Sequence, residues 1–80
     1  MHNVTIYSTP VCRYCSMAKD FFKEHNIAYT EHNVAADRAK LTEMVERTGQ
    51  RGVPVITVDN NVIVGFDEEA LTKLLLPKTA

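Results

Sequence analysis

The apolar residues of this chain fall into short runs that alternate between strand-like and helix-like spacing. Residues 3–8 are rich in β-forming side chains and predict a first strand. Helical spacing follows over about residues 13–25, where Ala18, Phe21 and Phe22 are predicted to face the core. The pattern therefore predicts a strand that leads directly into an amphipathic helix.

The middle of the chain repeats this order of strand and helix. Residues 27–33 predict a second strand. A second helix is predicted over about residues 37–48, because its apolar residues recur at helical spacing. Gly49 suits the position just after that helix, since glycine adopts the left-handed conformation at low cost.

The last third of the chain predicts a hairpin and a third helix. Residues 53–58 and 62–64 are strand-like, and residues 59–61 between them are typical of a turn. Asp67 is a favourable N-cap for a helix whose extension Pro77 limits. The order β-α-β-α-β-β-α predicts an α/β fold with a four-stranded mixed sheet flanked by three helices, in which the first two strands are parallel.

Length and charge limit the classes of function. Eighty residues suit one domain spanning residues 1–80, and the formal net charge of −1 gives no electrostatic support for binding nucleic acid. No stretch approaches the roughly 20 apolar residues of a membrane span, and we expect no signal peptide, because the sequence as given enters the first strand almost at once. We therefore expect a cytoplasmic protein and, with no sign of oligomerisation, a monomer.

Two cysteines carry the chemistry that the sequence predicts. Cys12 and Cys15, the only cysteines of the chain, form a C-x-x-C pair between the first strand and the first helix. Free backbone N–H groups and the positive end of a helix dipole can stabilise a thiolate at Cys12. A thiolate beside a second thiol suits thiol–disulfide exchange, with Cys12 as the nucleophile and Cys15, one turn inside, as the resolving thiol.

A metal site is the first alternative, because C-x-x-C is also half of a zinc site. The chain has no second cysteine pair, and His25 and His32 do not have the spacing of two zinc-binding histidines. We therefore predict no metal ligand.

Three segments together resemble a known family. They are residues 12–15 (Cys-Arg-Tyr-Cys), residues 52–56 (Gly-Val-Pro-Val-Ile) and residues 65–67 (Gly-Phe-Asp). With the predicted order of elements, they resemble the thioredoxin fold and, within it, glutaredoxins, over nearly the whole chain. The resemblance implies that Pro54 is a cis-proline beside the cysteines and that the Val53 backbone pairs with a peptide or with glutathione.

The resemblance also implies glutathione as a co-substrate, with no permanently bound cofactor. The implied binding residues are Tyr14, Val53, Pro54, Gly65 and Asp67, while Phe66 either faces the ligand or packs in the core.

Two of the departures from the family pattern change a charge at the site. Arg13 replaces the proline of the usual motif, and we expect its charge to favour the Cys12 thiolate. Thr9 replaces a lysine that holds a glutathione carboxylate, and Arg51 is predicted to supply that contact instead.

The resulting prediction is a small oxidoreductase that reduces protein disulfides or glutathione mixed disulfides. A second prediction remains open, because Gly65–Phe66 is similar to the redoxins that serve ribonucleotide reductase and take electrons from thioredoxin reductase. An iron–sulfur cluster or metal-binding module and a non-catalytic interaction domain are the alternatives from other classes.

Overall fold

The computed structural model describes residues 3–75, in which four strands and three helices follow the predicted order. The strands are β1 (Val4–Ser8), β2 (Thr30–Asn33), β3 (Val55–Val58) and β4 (Asn61–Val64), and the helices are α1 (Arg13–Glu24), α2 (Arg38–Thr48) and α3 (Glu68–Leu75). None of these helices is both long and apolar enough to cross a bilayer. The predicted helix stop at Pro77 lies outside the described residues.

The four strands form one mixed sheet in the order β2-β1-β3-β4. β1 runs parallel to β2, and the β1–β3 and β3–β4 pairs are antiparallel, which confirms the predicted topology. Tyr7 near the end of β1 lies opposite Val55 at the start of β3. The segment that follows β1, with Cys12 in the loop and Cys15 in the first turn of α1, and the segment that precedes β3, with Pro54, therefore lie at the same end of the sheet.

The core lies on both faces of the sheet. Ile6 and Ile56 belong to one apolar cluster, whereas the adjacent residues Tyr7 and Val55 belong to the other, because successive side chains of a strand point to opposite faces. The first cluster includes the inward-facing α1 residues that the sequence predicted, Ala18, Phe21 and Phe22. Met44 of α2 is fully buried in the second cluster.

The helix caps agree with the sequence, but several strand limits differ. Asp67 and Gly49 occupy the predicted cap positions. β2 is shorter than predicted because its ladder begins where Thr30 pairs with Thr5. β3 begins at Val55 because Pro54 has no N–H group for the ladder. Asn61, predicted in the turn, pairs with Val58 and belongs to β4.

A polar network joins β1, β2 and α1 through Glu31. The Ser8 hydroxyl and the Lys19 ammonium both donate to Oε2 of Glu31, at 2.8 Å and 2.9 Å. Ser8 is buried, while the Lys19 side chain is 27% exposed. The hydrogen bonds from Lys19 and Ser8 lower the pKa of the Glu31 carboxyl group.

This network should make stability depend on pH. Because the pKa of Glu31 is lower in the folded than in the unfolded chain, the stabilisation is present above the unfolded pKa and is lost as the pH falls through the folded pKa. We expect the free energy of unfolding of the Glu31→Gln variant to fall less steeply on acidification, as measured by urea unfolding at several pH values. Glu46→Gln, which removes an exposed carboxylate of α2, should follow the unmodified protein. An equally steep fall in the free energy of unfolding on acidification for the Glu31→Gln variant and the unmodified protein would contradict the assignment.

Candidate active site

Cys12 is the N-cap residue of α1. Its backbone is extended, with φ −85° and ψ 113°, and its sulfur accepts a hydrogen bond from the Cys15 backbone N–H at 3.1 Å. The N–H of Ser16 bonds the Cys12 carbonyl and closes the first turn. No acidic residue lies in that turn, so no carboxylate opposes negative charge on the Cys12 sulfur there.

The two thiols have different surroundings. Cys12 is half-buried, whereas Cys15 is completely buried, and both are free. Burial raises the pKa of the Cys15 thiol to about 12, and its hydrogen bond with Cys12 acts in the same direction. A hydrogen bond with the Thr9 backbone and the charge of Lys19 lower this pKa in part. The geometry therefore separates an accessible sulfur from a sheltered thiol that holds its proton.

The segment before β3 forms the second side of the site. The Val53–Pro54 peptide bond is cis, as the resemblance implied, and Pro54 is fully buried. The Gly65 N–H donates to the Pro54 carbonyl at 2.7 Å. Gly65 has φ 85°, which favours glycine at this position. The structure thus brings Pro54 and Gly65 into direct contact.

Gln50, which the sequence analysis did not single out, makes two side-chain hydrogen bonds to the backbone of Gly52, two residues before Pro54. Its side-chain NH₂ group donates to the Gly52 carbonyl at 3.1 Å, and its side-chain oxygen accepts the Gly52 N–H. A β-carbon at position 52 would lie 2.6 Å from that oxygen. Glycine at position 52 therefore leaves room for this clamp, and neither residue type nor spacing reveals it in the sequence.

Phe66 and Asp67 have structural partners. The Phe66 ring packs edge-on against Phe21, with 6.1 Å between centroids, and joins the core cluster that contains Phe21, so packing is its observed role. An Asp67 side-chain oxygen accepts the Ala70 N–H at 3.1 Å and caps α3.

Exposed apolar side chains lie along the cysteine segment. Val11 is 93% exposed, Tyr14 60% and Met17 42%. Tyr14 and Met17 lie on the same side of α1, because they are three residues apart. Val11 and Met17 were missed by the sequence analysis, since a single apolar residue in a pattern does not reveal that it is exposed.

Arg13 and Arg51 are both exposed, and they lie in different settings. Arg13 is the first residue of α1, beside Cys12. Arg51 contributes to a groove of about 530 Å³ along α2, and no cysteine is among the lining residues. Those residues are Arg38, Leu41, Thr42, Val45, Glu46 and Arg51. Within residues 3–75, no group of three or more histidine, cysteine or acidic residues is placed to hold a metal ion.

The difference between the two thiols predicts selective alkylation. The raised pKa keeps the Cys15 thiol protonated near neutral pH, and burial limits access further. With limiting iodoacetamide near neutral pH, we expect peptide mass spectrometry to find the label on Cys12. Unfolding in urea before labelling should make both residues reactive. Faster labelling of Cys15 than of Cys12 in the folded protein would overturn the assignment.

Comparison with known proteins identifies the family. The family model described as Glutaredoxin matches residues 4–63. The chain is 43% identical over 72 residues to a protein of Clostridium pasteurianum described as an uncharacterized glutaredoxin-like 8.6 kDa protein in the rubredoxin operon, and the match covers 90% of this chain and 96% of that protein. It is 39% identical over 71 residues to the glutaredoxin-like protein NrdH of Lactococcus lactis subsp. cremoris, over 89% and 97% of the two chains.

The fold is also similar to that of a solved structure. The thioredoxin-like protein BC3987 superposes with a TM-score of 0.86 at 32% identity, and the match covers 91% of this chain and 100% of that one. Since the family model matches well over half of the chain, this protein belongs to the glutaredoxin family and is a thiol–disulfide oxidoreductase.

Proposed function

We propose that this oxidoreductase reduces protein disulfides and glutathione mixed disulfides with Cys12 as the nucleophile and Cys15 as the resolving thiol. The observation that carries the proposal is the hydrogen bond from the Cys15 backbone N–H to the Cys12 sulfur, because it places a donor where negative charge on that sulfur is stabilised. The fully buried Cys15 is sheltered from external disulfides and lies one helical turn from its partner.

The proposed cycle has two exchange steps. The Cys12 thiolate attacks one sulfur of the substrate disulfide, a new S–S bond forms, and the other substrate sulfur leaves as a thiolate that takes up a proton. Cys15 then loses its proton and attacks the Cys12 sulfur. The Cys12–Cys15 bond forms while the bond to the substrate breaks, so two electrons pass from the protein to the substrate.

The surroundings of Cys12 suit an incoming chain. Val53 precedes the ladder of β3, which begins at Val55, and we propose that its backbone pairs with the substrate. We propose that Pro54 and Gly65, which are joined by a backbone hydrogen bond, line the same contact. The exposed side chains of Val11 and Tyr14 offer apolar area next to Cys12.

Glutathione is the proposed electron donor. Glutathione carries carboxylates, and we propose that Arg51 binds one of them in place of the lysine that Thr9 replaces. The Asp67 side chain and the N-terminal N–H groups of α3 are proposed to bind the amino and carboxylate groups of the γ-glutamyl end. Tyr14 flanks the bound tripeptide, and Arg13 favours the thiolate. We also propose that the protein is a monomer. We place it in the cytoplasm, because a reducing compartment returns the two cysteines to their thiol form between cycles.

Thioredoxin reductase is the second candidate donor, and ribonucleotide reductase the corresponding acceptor. The specific observation that favours it is the lack of a cation at Thr9, together with the Gly65–Phe66 pair. The match to an NrdH protein over nearly its full length supports the same alternative.

Two assays distinguish the donors. We expect activity with hydroxyethyl disulfide coupled to glutathione reductase, because glutathione can resolve a mixed disulfide at Cys12. Cys15→Ser should keep this activity and lose the reduction of insulin, whereas Cys12→Ser should lose both. Activity only in insulin reduction coupled to thioredoxin reductase would show that thioredoxin reductase, and not glutathione, is the electron donor. An unmodified protein that is inactive in both assays would contradict the proposed function.

Arg51 should affect the affinity for glutathione and leave the chemical step unchanged. We expect Arg51→Ala to raise KM for a glutathione mixed disulfide about two- to fivefold at constant kcat, the effect of losing one exposed ionic contact. Arg47→Ala removes an exposed charge from the last turn of α2 outside the groove and serves as the control. Equal KM values for the Arg51→Ala variant and the unmodified protein would remove Arg51 from the site.

A further inference from the structure

The second step of the cycle requires a thiolate in an unfavourable place. Cys15 has no exposed surface, and burial is the largest cause of its raised pKa. The resolving step nevertheless needs the deprotonated sulfur, since the thiolate is the attacking species. A group that stabilises negative charge at Cys15 would therefore control the rate at which the Cys12–Cys15 disulfide closes.

The contribution of Cys12 changes during the cycle. In the reduced protein, the hydrogen bond and the negative charge of Cys12 both oppose ionisation of Cys15. Once Cys12 is part of a mixed disulfide, its sulfur carries no charge and these two effects end. Burial then remains as the main obstacle, and a nearby positive charge has its largest relative effect at this stage.

Lys19 supplies such a charge. It lies four residues after Cys15, so the two side chains occupy the same side of α1 with their Cβ atoms about 5–6 Å apart. Its positive charge lowers the pKa of Cys15.

The Lys19 ammonium is held in place. It donates to Oε2 of Glu31 at 2.9 Å, and the buried Ser8 hydroxyl donates to the same oxygen at 2.8 Å. This ion pair restricts a side chain that would otherwise sample many rotamers. Tyr29 also acts on Lys19, and Lys23 acts on Glu31 from the next turn of α1. Lys19 is the lysine whose charge acts on Cys15 itself.

We propose that Lys19, held by Glu31, stabilises the Cys15 thiolate in the step that closes the Cys12–Cys15 disulfide, an inference that rests on the two-cysteine cycle proposed above. Lys19 acts through Cys15 and is therefore a positioning residue. In this step the Cys15 proton passes to solvent, the Cys15–Cys12 bond forms, and the leaving substrate sulfur takes the electron pair from the broken bond. Lys19 keeps its proton throughout, since its hydrogen bond to Glu31 raises its pKa.

Ellman's reagent separates the two steps of the reaction in one experiment. The reduced protein first releases one coloured thiolate as Cys12 forms the mixed disulfide, and it releases a second as Cys15 attacks Cys12. We expect Lys19→Met to slow the second release about three- to tenfold at pH 7, the order of effect expected from losing one unit charge on the same side of α1 in a medium between water and a protein surface. The pH profile of that release should move upwards by about half to one unit, while the first release stays unchanged.

Two further variants serve as controls. Lys19→Arg keeps the charge and should restore the second release, and Lys73→Met removes an exposed lysine of α3, outside this network, and should match the unmodified protein. A Lys19→Met variant with an unchanged second release and pH profile would overturn the proposal, as would equal slowing of both releases. A second release that is missing from the unmodified protein would instead contradict the two-cysteine cycle itself.

Discussion

The hydrogen bond between the Cys15 backbone N–H and the Cys12 sulfur is the interaction on which the rest of the site depends. It makes the Cys12 sulfur part of the first helical turn, so the position of this sulfur is fixed by the backbone of α1. The same turn buries the Cys15 side chain, and one short segment thereby gives the two thiols opposite properties. A C-x-x-C pair in a flexible loop would have neither the fixed donor nor the difference in burial.

The sheet places the cysteine segment close to the cis-proline segment. Because β1 and β3 are antiparallel and Tyr7 pairs with Val55, the end of β1 and the start of β3 lie at the same end of the sheet. That register places the cis-proline segment at the same end as the cysteine segment, and the contact between Gly65 and Pro54 adds the start of the α3 segment. The surface that we propose receives a substrate is therefore assembled from three separate parts of the chain.

The sequence predicts features that depend on periodicity or on a residue with one conformational preference. Phe22 lies in the core as helical spacing requires, and Gly49 adopts the left-handed conformation at the end of α2. β2 was less predictable, because its exposed polar side chains follow no apolar pattern and its ladder is set by pairing with β1. The Gln50 clamp and the Lys19–Glu31 pair were missed, since they join residues by contacts that only the folded chain brings together. The spacing of Lys19 from Cys15 on one helix was the single available signal for its proposed role.

The most direct test follows the Cys15 amide through a pH titration by nitrogen–proton correlation NMR. If this amide donates to the Cys12 sulfur, its proton signal should shift as the thiolate forms, over the same pH range in which the alkylation rate of Cys12 rises. In a Cys12→Ser variant the shift should disappear. A Cys15 amide signal that stays constant while the reactivity of Cys12 rises would contradict the account.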